Sequence, residues 1–405
     1  MVNLTPRAAC VVGQFGDPET AASGARVTSL AEGLAGHGYE VITIGVTSTW
    51  SGRHPPESRG LVIRMQETGI GTSSLIIVQP ADGTTIARRW RTSCRHLRAL
   101  RAFTYGVVSW GRANRGGTFV LYGHRGELLL IGVLAARFSR CQTVLDVTEW
   151  FDRASRASFA GWASTLIAQR VVPRLVDHVT IISDEVLREL PHSESVIVVP
   201  AMAPRRVTER AARAPGTPER VSSAETFICV FTGSEQRGLA SLVRALEGLA
   251  ASHPRTQFVL KISGPRHSTE SLSPTGRLWV EHSGLLSREG YFALLEGADC
   301  LVIPGSRGSV KDYAFPNRLP EYLLSGVPTI ISGYPAAART VMHGEHAIVM
   351  DTADVAELKR GLESVLLAPD EMRQMAQRGR SHALVAFDPL LTVAPLVEAL
   401  EGGQR

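Results

Sequence analysis

Two distant stretches of the chain share one pattern, and that pattern constrains the fold more than any other feature. The first opens on an apolar run at residues 8–12, turns at Gly13, and enters a segment where Val27, Leu30, Ala31 and Leu34 recur at i, i+3, i+4 and i+7. The second opens on an apolar run at 227–231, turns at Gly233, and enters a segment where Leu239, Leu242, Val243 and Leu246 keep the same spacing. This spacing predicts one buried stripe on a helix in each case. Each helix ends at a break, at His37-Gly38 and at Ser252 to Pro254, and a new apolar strand follows at 41–46 and at 258–263. Strand, helix, strand at this length is a βαβ unit, and such units build a parallel sheet.

Further short apolar strands are expected at 119–122, 143–147, 178–183 and 196–200, and in the second half at 300–304, 328–332 and 347–350. Val355, Leu358, Leu362 and Val365 mark another helix. Residues 204–224 are rich in Pro, Arg and small side chains with little apolar content, which reads as a linker. The expected organisation is α/β, with one doubly wound domain at 1–203, the linker at 204–224, a second doubly wound domain at 225–385, and a C-terminal helix at 386–405 that crosses back to the first domain. Ligands of open parallel sheets sit outside the carboxyl ends of the strands, so two such domains suggest a site in the cleft between them.

Composition narrows the class. A chain of 405 residues, 44% hydrophobic and 20% charged, suits two or three globular domains of ~150 residues. It excludes a small disulfide scaffold, a collagen-like fibre, a coiled coil and a largely disordered chain. The longest apolar run, 128–136, is far shorter than the ~20 residues that cross a bilayer. No basic segment followed by an apolar core opens the chain, so no signal peptide is expected and the protein is expected to be cytoplasmic. Five cysteines, an odd number without a CxxC pair, suit reduced, mostly buried thiols. Of 43 basic residues only Lys261, Lys311 and Lys359 are lysines, and arginine grips phosphate in a bidentate fork.

The richest segment for chemistry runs from Lys311 to Ile331. A polar loop after the strand ending at Pro304 leads to a helix expected to begin near Asn317, and a new strand follows the turn Gly326-Val-Pro. Arg318 and Glu321, three apart, share a face of the first turn. A helix N-terminus with an arginine suits an anion, and a carboxylate beside it accepts hydrogen bonds from sugar hydroxyls. Together they suit a phosphorylated ribose. The same residues also suit a capped surface helix carrying an i,i+3 ion pair.

This segment, Phe315-Pro-Asn-Arg-Leu-Pro-Glu-Tyr-Leu, resembles the nucleotide-binding helix of retaining GT-B glycosyltransferases of family 4. Gly233-Ser234 and Arg237-Gly238 resemble that family's glycine turn and basic-Gly pair. The run from Val280 through Leu285 to Tyr291 resembles the segment whose backbone cradles the base. One position departs: Tyr313, beside Asp312, stands where the family's fuller pattern has a second Glu, which usually contacts the donor sugar. The resemblance implies a GT-B fold, two Rossmann-like domains facing each other across a cleft. It implies that Glu321 binds the ribose, that Arg237 and Arg318 bind the diphosphate, and that Gly24, Gly233, Ser234, Leu285 and Asn317 belong to the donor site.

The first half adds weaker candidates. Gly24-Ala-Arg26 opens a helix and suits approach to the diphosphate or the acceptor, or simple helix packing. His124, after the strand ending at Tyr122, resembles the His that the family places near the transferred sugar. Asp146 and Glu149, three apart after another strand, suit orientation or deprotonation of an acceptor hydroxyl, or loop capping. Arg88, Arg91, Arg95 and Arg98 fall on one helical face, with Trp90, Cys94, Leu97 and Leu100 on another. That pattern suits an interfacial helix on anionic lipid, or an Arg-rich helix packed on its domain.

The chain has no P-loop, HExxH, GxGxxG or GxSxG motif and no DxD pair. Its basic stretch lacks the regularly spaced aromatics of nucleic-acid binding. The expected function is a metal-independent retaining transfer of a hexose-type sugar from a nucleotide-sugar co-substrate to a saccharide or lipid-linked acceptor. The resemblance implies that no cofactor is needed and that the reaction belongs to cell-surface polysaccharide or glycolipid synthesis. The chain would contact an anionic membrane peripherally through residues 88–101. The alternatives are a nucleotide-sugar epimerase or inverting transferase on the same scaffold, or a non-catalytic nucleotide-sugar-binding module.

Overall fold

The computed structural model describes residues 7–15, 22–47, 62–68, 72–78, 86–151, 159–191, 193, 195–213, 225–233, 238–264, 277–305 and 315–402, with 62–96 described by backbone course. The chain divides into two compact units, Met1–Arg205 with Pro389–Arg405, and Arg206–Asp388.

The first unit holds β1 (Arg7–Gln14), α1 (Ala22–Gly36), β2 (Tyr39–Thr47), β3 (Val62–Thr68), β4 (Thr72–Val78), α2 (Ile86–Ala113), β5 (Thr118–Tyr122), α3 (Gly126–Ser139), β6 (Gln142–Val147), α4 (Phe159–Leu166), β7 (His178–Ile181) and β8 (Val196–Val198). Its sheet has the order β3-β4-β2-β1-β5-β6-β7-β8. Every pair is parallel except β3 with β4. β1, β5 and β6 are nearly continuous apolar runs, as strands covered on both faces require.

At the junction stands α5 (Arg205–Arg213), followed by the second unit: β9 (Thr226–Thr232), α6 (Leu239–Ser252), β10 (Gln257–Ser263), β11 (Leu278–Gly284), α7 (Arg288–Glu296), β12 (Cys300–Pro304), α8 (Leu319–Leu324), β13 (Thr329–Ser332), α9 (Pro335–Thr340), β14 (Ile348–Met350), α10 (Val355–Leu367) and α11 (Pro369–Ala386). The sheet is wholly parallel, in the order β11-β10-β9-β12-β13-β14. The stripe Leu239, Leu242, Leu246 and Leu249 of α6 packs on Phe227, Phe258 and Leu260 of the sheet, with Leu358, Leu362 and Val365 of α10 in the same core.

The expected linker at 204–224 is corrected in its first part, which is helical. Val207, Thr208 and Ala211 fall on one buried side of α5 while its arginines face outward. Arg380 donates to the Ala211 carbonyl, tying α5 to α11. Low apolar content hid a short amphipathic helix, because three inward positions suffice over nine residues.

The last helix, α12 (Pro389–Gly402), belongs to the first unit. Val393, Leu396, Val397 and Leu400 join the core built by β1 and α1. The approach is close: a Cβ on Gly33 would come within 2.6 Å of the Pro389 carbonyl and 2.7 Å of Val393 Cγ2. Among the described residues one stretch, Pro369–Gly402, is long and apolar enough to cross a membrane by length and composition. It divides at Phe387–Asp388 into α11 and α12, and the apolar side of α12 is spent in the core. Cys10, Cys141, Cys229 and Cys300 are free and buried, and burial raises each thiol pKa.

Candidate active site

The second unit has its topological switch at β9, which is flanked by β10 on one side and β12 on the other. The carboxyl ends of β9 and β12 are therefore where a ligand of such a sheet is expected to sit. Gly233 follows β9 at φ 132°, and its N–H donates to the Ser263 carbonyl at 2.8 Å. A Cβ here would lie 1.9 Å from Arg318 Nη2 and 2.3 Å from its Cζ. The Arg318 guanidinium thus lies flat against the bare α carbon, a place only glycine leaves open. Arg318 Cζ is also 5.6 Å from the centroid of the Phe231 ring, a cation–π contact that favours the charged fork where it stands.

Arg318 is the N-cap of α8, which starts at Leu319 rather than near Asn317 and has Pro320 in its first turn. Proline fits there, since first-turn N–H groups have no partner inside the helix. Six residues make only a small macrodipole, so the guanidinium is the main positive charge at this point. A longer dipole comes from α6, fourteen residues long, whose N-cap Gly238 has φ 82°. A Cβ on Gly238 would meet Pro304 Cβ at 2.7 Å. The open N–H groups of α6 therefore begin beside the last residue of β12, a second feature suited to an anion.

Glu321, in the first turn of α8, is buried. Arg288 Nη2 donates to its Oε1 at 2.6 Å. Arg288 stands at the start of α7, its Cζ 5.2 Å from the Phe292 centroid and 5.9 Å from that of Tyr291. The buried Nε of Arg288 has no hydrogen-bond partner among the described residues. Burial first, and then the Glu321 carboxylate, hold the Tyr291 phenol well above its ordinary pKa, so it stays a proton donor. Next along the chain, fully buried Tyr322 accepts from the Thr232 N–H at 2.9 Å and donates to Thr232 Oγ1 at 3.0 Å. That pair pins α8 to the end of β9 and so fixes Arg318 and Glu321 relative to Gly233.

Sequence reasoning put Gly233, Arg318 and Glu321 together, and the structure gathers all three at one strand end. Asn317 precedes Arg318, and Leu285 is exposed just beyond the end of β11. Ser234, Arg237, Asp312 and Tyr313 lie outside the described residues, as do the side chains of Arg88, Trp90, Arg91, Cys94 and Arg95. Arg288, Tyr291 and the Tyr322–Thr232 pair escaped the sequence. Arg288 follows an N-cap Ser287 like any first-turn surface arginine, and its partner is 33 residues away.

In the first unit, Gly24 is buried in the first turns of α1, two residues before Arg26. Arg26 is not a phosphate ligand in waiting. It is buried, and its Nε and Nη2 reach both oxygens of Asp146, at 3.1 and 2.9 Å. It also donates to the carbonyls of Val199, at 2.8 Å, and Pro200. Thr180 Oγ1 donates to Asp146 Oδ1 at 2.7 Å. The expectation that Asp146 handles an acceptor hydroxyl is therefore corrected: its carboxylate is buried and saturated, a partner in a structural ion pair. Glu149, three residues on, is exposed beyond β6. His124 follows β5 by two residues, its ring 5.1 Å from Phe151, edge to face.

Known proteins resemble the chain in two ways. Residues 217–382 match the family described as Glycosyl transferases group 1. No curated protein sequence matches. Solved structures resemble the whole chain: Anabaena HepE in complex with UDP and glucose, at TM-score 0.63 and 12% identity over 98% of this chain and 99% of that one; sucrose-phosphate synthase from Thermosynechococcus elongatus, at 0.66 and 16% over 98% and 100%; and a trehalose 6-phosphate synthase from Burkholderia multivorans, at 0.63 and 12% over 99% and 97%. The fold is that of GT-B proteins. The group 1 match lies across the second unit, residues 217–382, and marks the chain as a glycosyltransferase.

Proposed function

We propose that the chain is a retaining, family 4-like enzyme that moves a hexose from a nucleoside diphosphate donor to a saccharide or lipid-linked acceptor in the synthesis of a surface polysaccharide or glycolipid. The observation that carries this reading is the Arg318 guanidinium seated against Gly233, with the Arg288-held carboxylate of Glu321 on the same short helix. In this reading Arg318 and the α6 N-terminus face the diphosphate. Arg237 adds a second cation, and Glu321 accepts from the ribose hydroxyls. Leu285 offers its backbone to the base, Gly24 and His124 approach the donor sugar, and Glu149 meets the acceptor.

The bond from the anomeric carbon to the β-phosphate oxygen breaks with its electron pair going to the phosphate. The acceptor oxygen bonds the same face of that carbon and gives its proton to the departing phosphate. Fixed positive groups lower the barrier because they are already oriented where charge develops. Such a site needs no divalent metal. UDP-hexoses are the first donors to test, since Anabaena HepE is seen with UDP and glucose.

Incubation of the protein with UDP-glucose and acceptor in the presence of a metal chelator is expected to give a glycoside of unchanged anomeric configuration by NMR. A glycoside of opposite configuration assigns an inverting transferase, and conversion of one nucleotide sugar into another assigns an epimerase. Tight donor binding without turnover assigns a binding module.

A further inference from the structure

The first unit carries a surface that the donor site does not use. Helices α2 and α3 pack together, and between them lies a groove of about 440 Å³. Val108, Ile131, Leu134 and Phe138 give it apolar walls, and Arg112 and Arg115 stand at its edge. Phe138 is 84% exposed and Tyr105 is 77% exposed, with Leu134 also open to solvent. An exposed phenylalanine beside an open apolar groove is a feature that soluble surfaces ordinarily avoid.

Charge surrounds this patch on one side of the scale only. Residues 83–126 contain nine arginines and no aspartate or glutamate. Arg98, Arg101, Tyr105 and Arg112 fall on one face of α2 at helical spacing, and Arg98, Arg101, Arg112, Arg115, Arg137 and Arg140 are all exposed. Glu127, the one carboxylate of α3, is taken by Arg125 at 2.6 Å and by Ser164 at 2.5 Å. The α2–α3 face is thus an apolar wedge ringed by unbalanced positive charge.

We propose that this face docks on a bilayer containing anionic lipid, with Phe138 and Leu134 entering the acyl boundary and the arginines meeting headgroup phosphates. Charge complementarity selects this occupant. A second copy of the chain would bring arginine against arginine. A polyanion such as RNA would satisfy the arginines and leave the apolar wedge unmatched, whereas a lipid surface matches both. The surface belongs to the first unit and the nucleotide site to the second, and the proposal does not depend on the sugar chemistry.

Vesicle sedimentation of the full chain tests the proposal without any donor present. The protein is expected to partition onto phosphatidylcholine vesicles containing phosphatidylglycerol, not onto phosphatidylcholine alone, and to dissociate as salt is raised. The double variant Arg112→Glu, Arg115→Glu is expected to bind at least about tenfold more weakly with an unchanged melting temperature. In Phe138→Trp, fluorescence in excess of the parent protein's is expected to shift to the blue and to be quenched by lipids brominated on their acyl chains. Equal binding by the arginine variant, absence of binding to anionic vesicles, or an introduced indole untouched by brominated lipid would overturn it. Self-association that buries that indole, or tight single-stranded RNA binding in place of vesicle binding, would overturn it too.

Discussion

Replacement of Arg318 by alanine is expected to lower kcat/KM for the donor about 10²–10³-fold, the loss seen when one preorganised donor to a developing anion is removed. Arg318 is only half-buried and its seat is the open α carbon of Gly233. The unliganded variant should therefore keep the parent melting temperature to within a few degrees, and the effect should appear in KM as well as in kcat, since the same guanidinium holds the diphosphate of the bound donor. Arg318→Lys is expected to recover little, because an ammonium does not fork onto two phosphate oxygens. Steady-state kinetics of the three proteins, with melting curves on the same samples, check this. Full activity in Arg318→Ala would remove this residue from the chemistry.

The other large effect falls on stability. Asp146→Ala is expected to destabilise the first unit by ~3–5 kcal/mol, because it strands the buried Arg26 charge. Arg26 has no route to solvent that keeps its other bonds, to the carbonyls of Val199 and Pro200, intact. Breaking such a pair costs more than the pair itself contributes, so the double variant Arg26→Met, Asp146→Leu is expected to recover a large part of the loss. Urea unfolding followed by circular dichroism reads all three. A single-variant loss below ~1 kcal/mol would show that water reaches the pair.

Most of the parallel strands were legible because each is an apolar run, and α1, α6 and α10 because each keeps a single 3.6-residue stripe; β11, which carries Glu281, His282 and Ser283, was not. Nor was the antiparallel β3–β4 pair. Its apolar residues, Val62, Ile63 and Met65 in β3 and Leu75 to Val78 in β4, come as short runs broken or preceded by polar ones such as Thr72, Ser73 and Ser74, and no helix follows β3 to mark a βαβ unit. Glu321 and Arg318 were legible because they sit three apart within one local motif. Arg288 was not, because nothing local distinguishes it and its meaning lies in a carboxylate far along the chain. Arg26 and Asp146 show the converse. Arg26 stands in the first turns of α1 and Asp146 near the carboxyl end of β6, where ligands of such a sheet belong, and the sequence holds nothing to say that the two neutralise each other across 120 residues.

The central claim is that Gly233, Arg318 and Glu321 form a nucleoside diphosphate site, and thermal shift tests it most directly. The parent protein, Arg318→Ala and Glu321→Ala would each be melted with UDP, GDP, ADP or TDP and with their hexose conjugates. Binding at a hundred times Kd stabilises the folded chain by ~2.7 kcal/mol, a readily visible shift. The account predicts that one nucleotide raises the parent melting temperature and that both substitutions abolish the rise. No shift with any nucleotide, or an equal shift in both variants, would contradict it.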